Sequence, residues 1–468
     1  MEHNKNISNK SNLEKLISIK IEDSEALGDS IVATIYEKAE NIAKSVVSVN
    51  DKRKVNWDRR LDDVLTSKIT GYPIMLLLLG IIFWITIEGA NYPSQLLSNI
   101  LFGFENKLSS FFFYINAPDW LHGLLIQGMY RTLAWVIAVM LPPMAIFFPL
   151  FTLLEDLGYL PRIAFNLDNA FRKAGTHGKQ ALTMSMGFGC NAAGIVACRI
   201  IDSPRERLIA MITNNFVPCN GRFPTLIAIS AIFFGGIGLA SGKPSSILAT
   251  LSVVFMILIG IIATIAVSKF LSSTVLKGVP STFSLELPPY RRPQISKILV
   301  RSLLDRTLFV LVRAIVVAAP AGAITWLFAN IMVGDNTLLN LCSGFLDPFG
   351  KLIGLDGFII MAFILGLPAN EIVLPILIMS YMSQGAMLEF DNLQTLKNLL
   401  VNNGWTWITG LNFMLFSLLH FPCATTLMTM GKESNGLKWP IFTFILTTGI
   451  AIAVTFTIKT LSTILGLV

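Results

Sequence analysis

Three cysteines, a glutamate, a histidine and two asparagines interrupt apolar sequence at points where a helix must break. Cys190 and Asn191 close the run Gly187-Phe188-Gly189-Cys190-Asn191, and Cys219 and Asn220 lie in Pro218-Cys219-Asn220-Gly221-Arg222. Glu371 follows Gly366-Leu367-Pro368-Ala369-Asn370, and His420 opens His420-Phe421-Pro422-Cys423. Thiolate and imidazole suit borderline-soft divalent metals, whereas carboxylate and amide oxygens favour harder ions. Cys190, Cys219, Cys423, Asn191, Asn220, Glu371 and His420 together would hold a first-row transition metal moderately, as a site must if it also releases its cargo. Ligand type alone does not separate iron from zinc, cobalt or copper.

Each residue also has a plainer reading. Cys198 and Cys342 read as small core hydrophobes, and Met184 and Met186 as packing. The proline before Cys423 disturbs the turn that would bring His420 to it. Glu371 is too costly to bury unpaired, and an ion pair with Arg131 or Arg313 suits it as well as a metal does. Arg222 reads as a brace for carbonyls at the break. Glu155 and Asp156 begin a cytoplasmic turn, where a solvated surface competes with metal recruitment at an entrance.

The elements that position these groups belong to a membrane. The chain has 468 residues, 53% apolar and 14% charged, against roughly 25% charged in soluble proteins. Its mean hydropathy is +0.64, and several apolar runs reach the ~20 residues needed to cross ~30 Å of hydrocarbon. The net charge of +7 reads as cytoplasmic loop bias and not as nucleic-acid binding. Five cysteines, an odd number set mostly in apolar sequence, argue against a disulfide framework. The first 70 residues are polar, so no signal peptide is expected.

Four regions follow: a partly helical cytoplasmic tether (1–70), a first membrane half (71–272), a basic cytoplasmic loop (273–306) and a second membrane half (307–468). Within the tether, residues 13–50 have an amphipathic helical pattern, and the charged residues 51–68 read as a solvated linker or, alternatively, a docking surface. The first span is expected at 73–87, followed by an outside loop at 89–120. That loop holds one lysine, whereas residues 52–68 hold six basic residues, which puts the N-terminus in the cytoplasm. The next run, 121–154, should break at Pro142-Pro143. Residues 181–201 suit a re-entrant hairpin with its tip at 187–191, since a full crossing would strand Arg199, Arg205 and Arg207 outside. Crossings at 208–238, 246–271, 307–333, 409–430 and 439–467, with a second hairpin at 357–382, bring the count to seven crossings and two hairpins.

The halves align by their breaks. Gly187 and Asn191 match Gly366 and Asn370 at the same spacing, and Pro218-Cys219 matches Pro422-Cys423. Gly187, Gly189, Pro218, Gly221, Gly366, Pro368, Asn370 and Pro422 are therefore the expected gate breaks. One hairpin opens to each side, as an inverted repeat requires, and paired interrupted segments point to a substrate site near the bilayer midplane.

At these residues the sequence resembles the membrane domain of the bacterial ferrous iron transport protein B family. The likeness covers about residues 55–467. Besides the breaks it includes Leu154-Glu155-Asp156-Leu157-Gly158-Tyr159, His177-Gly178-Lys179, Arg205-Glu206-Arg207-Leu208, Arg222 with Pro224, and Glu286-Leu287-Pro288. Each motif is weak alone, but their order and spacing together are specific.

The resemblance implies an all-α polytopic membrane protein with two inverted gate modules organised like nucleoside-transporter repeats. It also implies the inner membrane as location, Fe2+ as the transported substrate, and Cys190, Cys219 and Cys423 on its path. Family members commonly carry an N-terminal GTPase domain. No Gly-x-x-x-x-Gly-Lys-Ser/Thr phosphate loop occurs in these 468 residues, so no nucleotide is expected on this chain. The expected partners are a separate GTPase protein, small cytoplasmic accessory proteins and membrane lipid, with homo-oligomer formation left open.

A transporter of organic solutes or nucleosides sharing the gate architecture, and a non-transporting remnant, are the competing functions. The cysteines at the breaks weigh against the first, and the intact break residues against the second. No catalytic constellation is present.

Overall fold

A computed structural model describes residues 24–46, 57–67, 69–235, 246–278, 290, 294–296, 300, 307–382 and 393–466. In chain order, α1 (Ser24–Val46) and α2 (Trp57–Leu65) precede the long apolar α3 (Gly71–Tyr114), against which α4 (Asp119–Asp156) packs back. The amphipathic α5 (Tyr159–Lys173) leads to α6 (Lys179–Gly189) and α7 (Asn191–Ala197), the arms of the first hairpin. Two short helices separated by a break, α8 (Pro204–Thr213) and α9 (Phe223–Phe233), are followed by α10 (Ser246–Ser273).

The second half opens with α11 (Phe309–Asn330), a two-residue β-ladder (Met332–Val333 with Asn336–Thr337) and the amphipathic α12 (Leu338–Leu352). Hairpin arms α13 (Gly357–Leu365) and α14 (Val373–Tyr381) follow, then α15 (Leu393–Asn402). An interrupted crossing, α16 (Trp407–Leu419) and α17 (Ala424–Glu433), and a final helix α18 (Lys438–Ile464) complete the chain.

Among the described residues, α3, α4, α10, the α16–α17 pair and α18 are long and apolar enough to span a membrane. The other two expected crossings correspond to the α8–α9 pair and to α11. The helix breaks at both expected hairpin tips and in both expected interrupted crossings stand where the glycine–proline punctuation put them. Most of the basic loop expected at 273–306 lies outside the described residues.

Two expectations fail on proline. The outside loop at 89–120 is mostly helix, because α3 runs unbroken for 44 residues through Pro93. The break at Pro142-Pro143 is absent, because α4 passes through Pro142, Pro143 and Pro149 and carries its irregularity earlier, as a π-helical turn over Gly123–Tyr130. Proline removes a donor, but apolar surroundings offer the freed carbonyls no better partner elsewhere, so the helix continues.

The repeat is legible in local geometry. In the first module Asp168 on α5 accepts a hydrogen bond from the backbone N–H of Gly178 (2.9 Å); in the second, Asp347 on α12 accepts from Gly357 (3.1 Å), again ten residues on. The turn between is made by a left-handed glycine in each case, Gly175 (φ 76°) and Gly354 (φ 73°). Only glycine adopts that conformation without strain. In the second module α12 and α13 meet at 112°, so the amphipathic helix turns sharply into the hairpin arm.

Candidate functional site

The four breaks face one another in the middle of the fold. At the first hairpin tip, Cys190 is extended (φ −155°, ψ 126°) between α6 and α7, and Ala369 has nearly the same backbone (φ −150°, ψ 121°) at the second tip. Each tip is tied to the crossing break of its own module: Asn220 N donates to Gly189 O (3.3 Å), and Ala424 N donates to Leu367 O (2.8 Å). Irregular backbone at membrane depth persists only when enclosed in this way or lining a cavity.

Arg222 binds the two modules together. Its guanidinium, 1% exposed, donates to the carbonyls of Asn215 (2.9 Å), Leu418 (2.8 Å), Phe421 (3.3 Å) and His420 (3.4 Å), and to Asn215 Oδ1 (3.2 Å). Asn215 Nδ2 adds a bond to the His420 carbonyl (2.7 Å). The expected bracing role is what the geometry displays, and it occupies the carbonyls at the α16–α17 break.

Glu371 closes the same junction from the second hairpin. A Cβ placed on Gly221 would lie 2.0 Å from Glu371 Oε1, so the carboxylate rests directly on the backbone of the first crossing break. Glycine is required there for close approach. Neither expected ion-pair partner is seen with Glu371: Arg131 pairs instead with Glu105 (3.7 Å), and the side chain of Arg313 lies outside the described residues.

Cys190, Cys219 and Cys423 each sit at one of these packed breaks, next to the Asn220–Gly189, Gly221–Glu371 and Arg222–Phe421 contacts. Cys190 and Cys219 are buried, and the half-buried Cys423 Sγ lies 3.2 Å from Thr426 Oγ1. Yet among the described residues no three histidine, cysteine, aspartate or glutamate side chains are close enough to hold a metal. The seven expected ligands therefore do not form one coordination shell in this conformation.

Three of them have other work. The His420 ring lies among Phe363, Phe416 and Phe421, its Nδ1 2.9 Å from the carbonyls of Phe416 and Ser417. The Asn191 amide, with its nitrogen turned toward them, donates to Gly187 O (3.1 Å) and Val217 O (3.2 Å). Asn220 serves the tip through its backbone. By contrast Asn370 is buried with Oδ1 unsatisfied among the described residues.

The outlying residues are structural. Cys198 Sγ donates to Gly194 O (3.3 Å) in the core, as expected. Asp156 accepts from the backbone of Gln294 (3.2 Å), so one of the two acidic residues suggested for an entrance holds the segment at Gln294.

The sequence reading missed Asn214 and Asn215. Asn214 lies between the hairpin arms, its Oδ1 2.7 Å and 2.8 Å from where Cβ atoms on Gly187 and Gly194 would stand, and its Nδ2 bonds Asn191 O (3.1 Å). Two adjacent amides just before Val217-Pro218 were the available signal.

Comparison with known proteins agrees with this architecture. A family model described as "Nucleoside recognition" matches residues 137–233 and 311–436, and one described as "Ferrous iron transport protein B C terminus" matches 253–305. The chain is 29% identical over 456 residues to "Fe(2+) transporter FeoB" of Staphylococcus aureus (strain COL), covering 93% of this chain and 65% of that protein. It is 27% identical to the protein of that name from Campylobacter jejuni, covering 89% and 67%, respectively. It is 25% identical to an "Fe(2+) transport protein A/Fe(2+) transporter FeoB fusion protein" of Porphyromonas gingivalis, covering 85% and 51%. The chain thus spans between half and two thirds of the length of these relatives. No solved structure matches.

Proposed function

The chain belongs to the ferrous iron transport protein B family, and from that premise we propose that it moves ferrous iron across the bacterial inner membrane. The N-terminus is cytoplasmic in this reading, and a GTPase supplied as a separate protein, with small cytoplasmic accessory proteins, regulates it. The observation that carries the proposal is the packing of the four breaks on one another, which brings the chain at Cys190, Cys219 and Cys423 together with Glu371.

The chemistry fits a mobile cargo. Thiols must lose protons to bind a metal, and one carboxylate beside three sulfurs gives a mixed donor set of moderate strength. Because no three ligands are yet in place, iron binds only when the hairpin tips close on it, and it leaves when they part. Asn370, with an unsatisfied carbonyl oxygen at the second tip, supplies an oxygen donor as that tip moves. Arg222 contributes by holding the break open and its carbonyls fixed.

The organic-solute alternative loses ground on the same geometry. Asn191, Asn215 and Arg222 donate to backbone carbonyls, which leaves these groups less free to read the edge of a base or sugar.

The test is uptake of labelled ferrous iron in cells lacking their own iron transporters. The chain is expressed with and without a family GTPase, beside Cys219→Ser and the core control Cys198→Ser. Uptake that is lost in Cys219→Ser and kept in Cys198→Ser supports the proposal. Normal expression without uptake in either setting refutes it.

A further inference from the structure

Away from the breaks, the cytoplasmic face carries a junction of three chain segments. Arg162, on α5 and 1% exposed, donates to Asp62 of α2 through Nε (2.9 Å) and Nη2 (3.3 Å). Its guanidinium lies 4.1 Å over the ring of Tyr290, whose hydroxyl donates to the same carboxylate (2.8 Å). Arg162 Nη1 also bonds Gly158 O (2.7 Å). Asn166, one turn on, donates to Leu65 O (2.8 Å) and accepts from Tyr72 (2.8 Å). The tether is therefore docked, whereas the charged stretch 51–68 reads from sequence as a solvated linker or a docking surface.

The other end of α5 reaches the gate. Asp168, less than two turns beyond Arg162, holds Gly178 N at the start of α6, and α6 ends at Cys190. The second module has the same aspartate–glycine bond, but at the register position of Arg162 it carries Leu341, which is 48% exposed. Building a hairpin thus does not require the Arg162 junction. It exists only where the N-terminal segment meets the first hairpin.

We propose that Asp62, Arg162 and Tyr290 form a latch through which the N-terminal segment controls the first hairpin. Closed, the latch fixes α5 and, through Asp168, keeps Cys190 beside Cys219 and Cys423. Withdrawing Asp62 removes two charge-assisted hydrogen bonds from a buried guanidinium, which loosens the hold of the N-terminal segment on α5. This regulation rests on the transport reading above, but its structural half is measurable without any cargo.

The experiment is hydrogen exchange by mass spectrometry on the full chain in lipid nanodiscs, paired with iron uptake in cells. Asp62→Asn should speed exchange about tenfold, the scale of a lost charged hydrogen bond, across 159–173 and 179–189. Exchange in residues 357–365 should not change, and uptake should shift at least threefold. Tyr290→Phe, which removes one donor only, should give a smaller effect in the same segments. Asp63→Asn, an exposed neighbour, should give none. Faster exchange confined to 57–65, or a mobile hairpin with unchanged uptake, overturns the latch. If the wild-type chain carries no iron, the cargo assignment fails while the exchange data still decide the coupling.

Discussion

Gly221 offers the sharpest test of how the two modules meet. An alanine Cβ would stand 2.0 Å from Glu371 Oε1 and 2.5 Å from its carboxyl carbon, where ordinary contact begins at 3.4 Å. Glu371 is 8% exposed, so its carboxylate must retreat by more than an ångström or the tips must separate. Overpacking of this kind costs about 1–3 kcal/mol, and a site tolerates only about 0.5 Å of misplacement. Gly221→Ala should therefore lower iron uptake about tenfold at limiting iron while the purified protein still unfolds cooperatively, with a modestly lower thermal midpoint. Glu371→Asp shortens the side chain by one methylene and makes room. The double variant should recover part of the loss in Gly221→Ala, even though Glu371→Asp alone is impaired. The assay is a double-mutant cycle on uptake rate and thermal midpoint. If the two substitutions are simply additive, or Gly221→Ala behaves as wild type in both measurements, the carboxylate does not rest on that glycine and the junction is misread.

Two further outcomes follow from the charged groups. Arg222→Lys keeps the charge but cannot bridge four carbonyls, and leaving buried acceptors unsatisfied should destabilise the protein by about 1–3 kcal/mol, read as a fall in thermal midpoint in detergent; an unchanged midpoint would mean the brace is dispensable. At the latch, burial raises the affinity of Asp62 for its proton, but hydrogen bonds from Arg162 and Tyr290 and the charge of Arg162 outweigh it and hold the carboxyl below its ordinary 3.8. A lowered value in the folded state stabilises above the ordinary value and is lost as pH falls through the lowered one. Docking of the tether should thus be constant from pH 8 to pH 5 and fail only on acidification below 3.8, as measured by the distance between spin labels on α2 and α5.

The breaks were legible because glycine, proline and asparagine interrupt apolar sequence at matching intervals, as in Gly187 to Asn191 against Gly366 to Asn370. The same signal misled at Pro142-Pro143, where helix persists because the surroundings offer the backbone nothing better. Proline alone does not separate a gate from a passable kink, whereas proline with neighbouring glycine and a polar side chain does. Contacts between distant segments were not legible. Nothing near Glu371 in the sequence points to Gly221, and nothing near Asp62 points to Arg162, a hundred residues away. His420 shows another contact the sequence does not reveal, since its ring at a break is engaged by backbone carbonyls and phenylalanine rings.

The Arg222 brace also sets a condition on biogenesis. The guanidinium leaves the ribosome 196 residues ahead of the Leu418 carbonyl that receives it. At ~5–20 residues per second that interval is roughly 10–40 s, during which the cation has only the two acceptors of Asn215 and an apolar flank on each side. The first half of the chain therefore cannot settle into lipid in its final form by itself. It must wait in the insertion machinery, or with Arg222 turned to water, until the second half arrives to receive it.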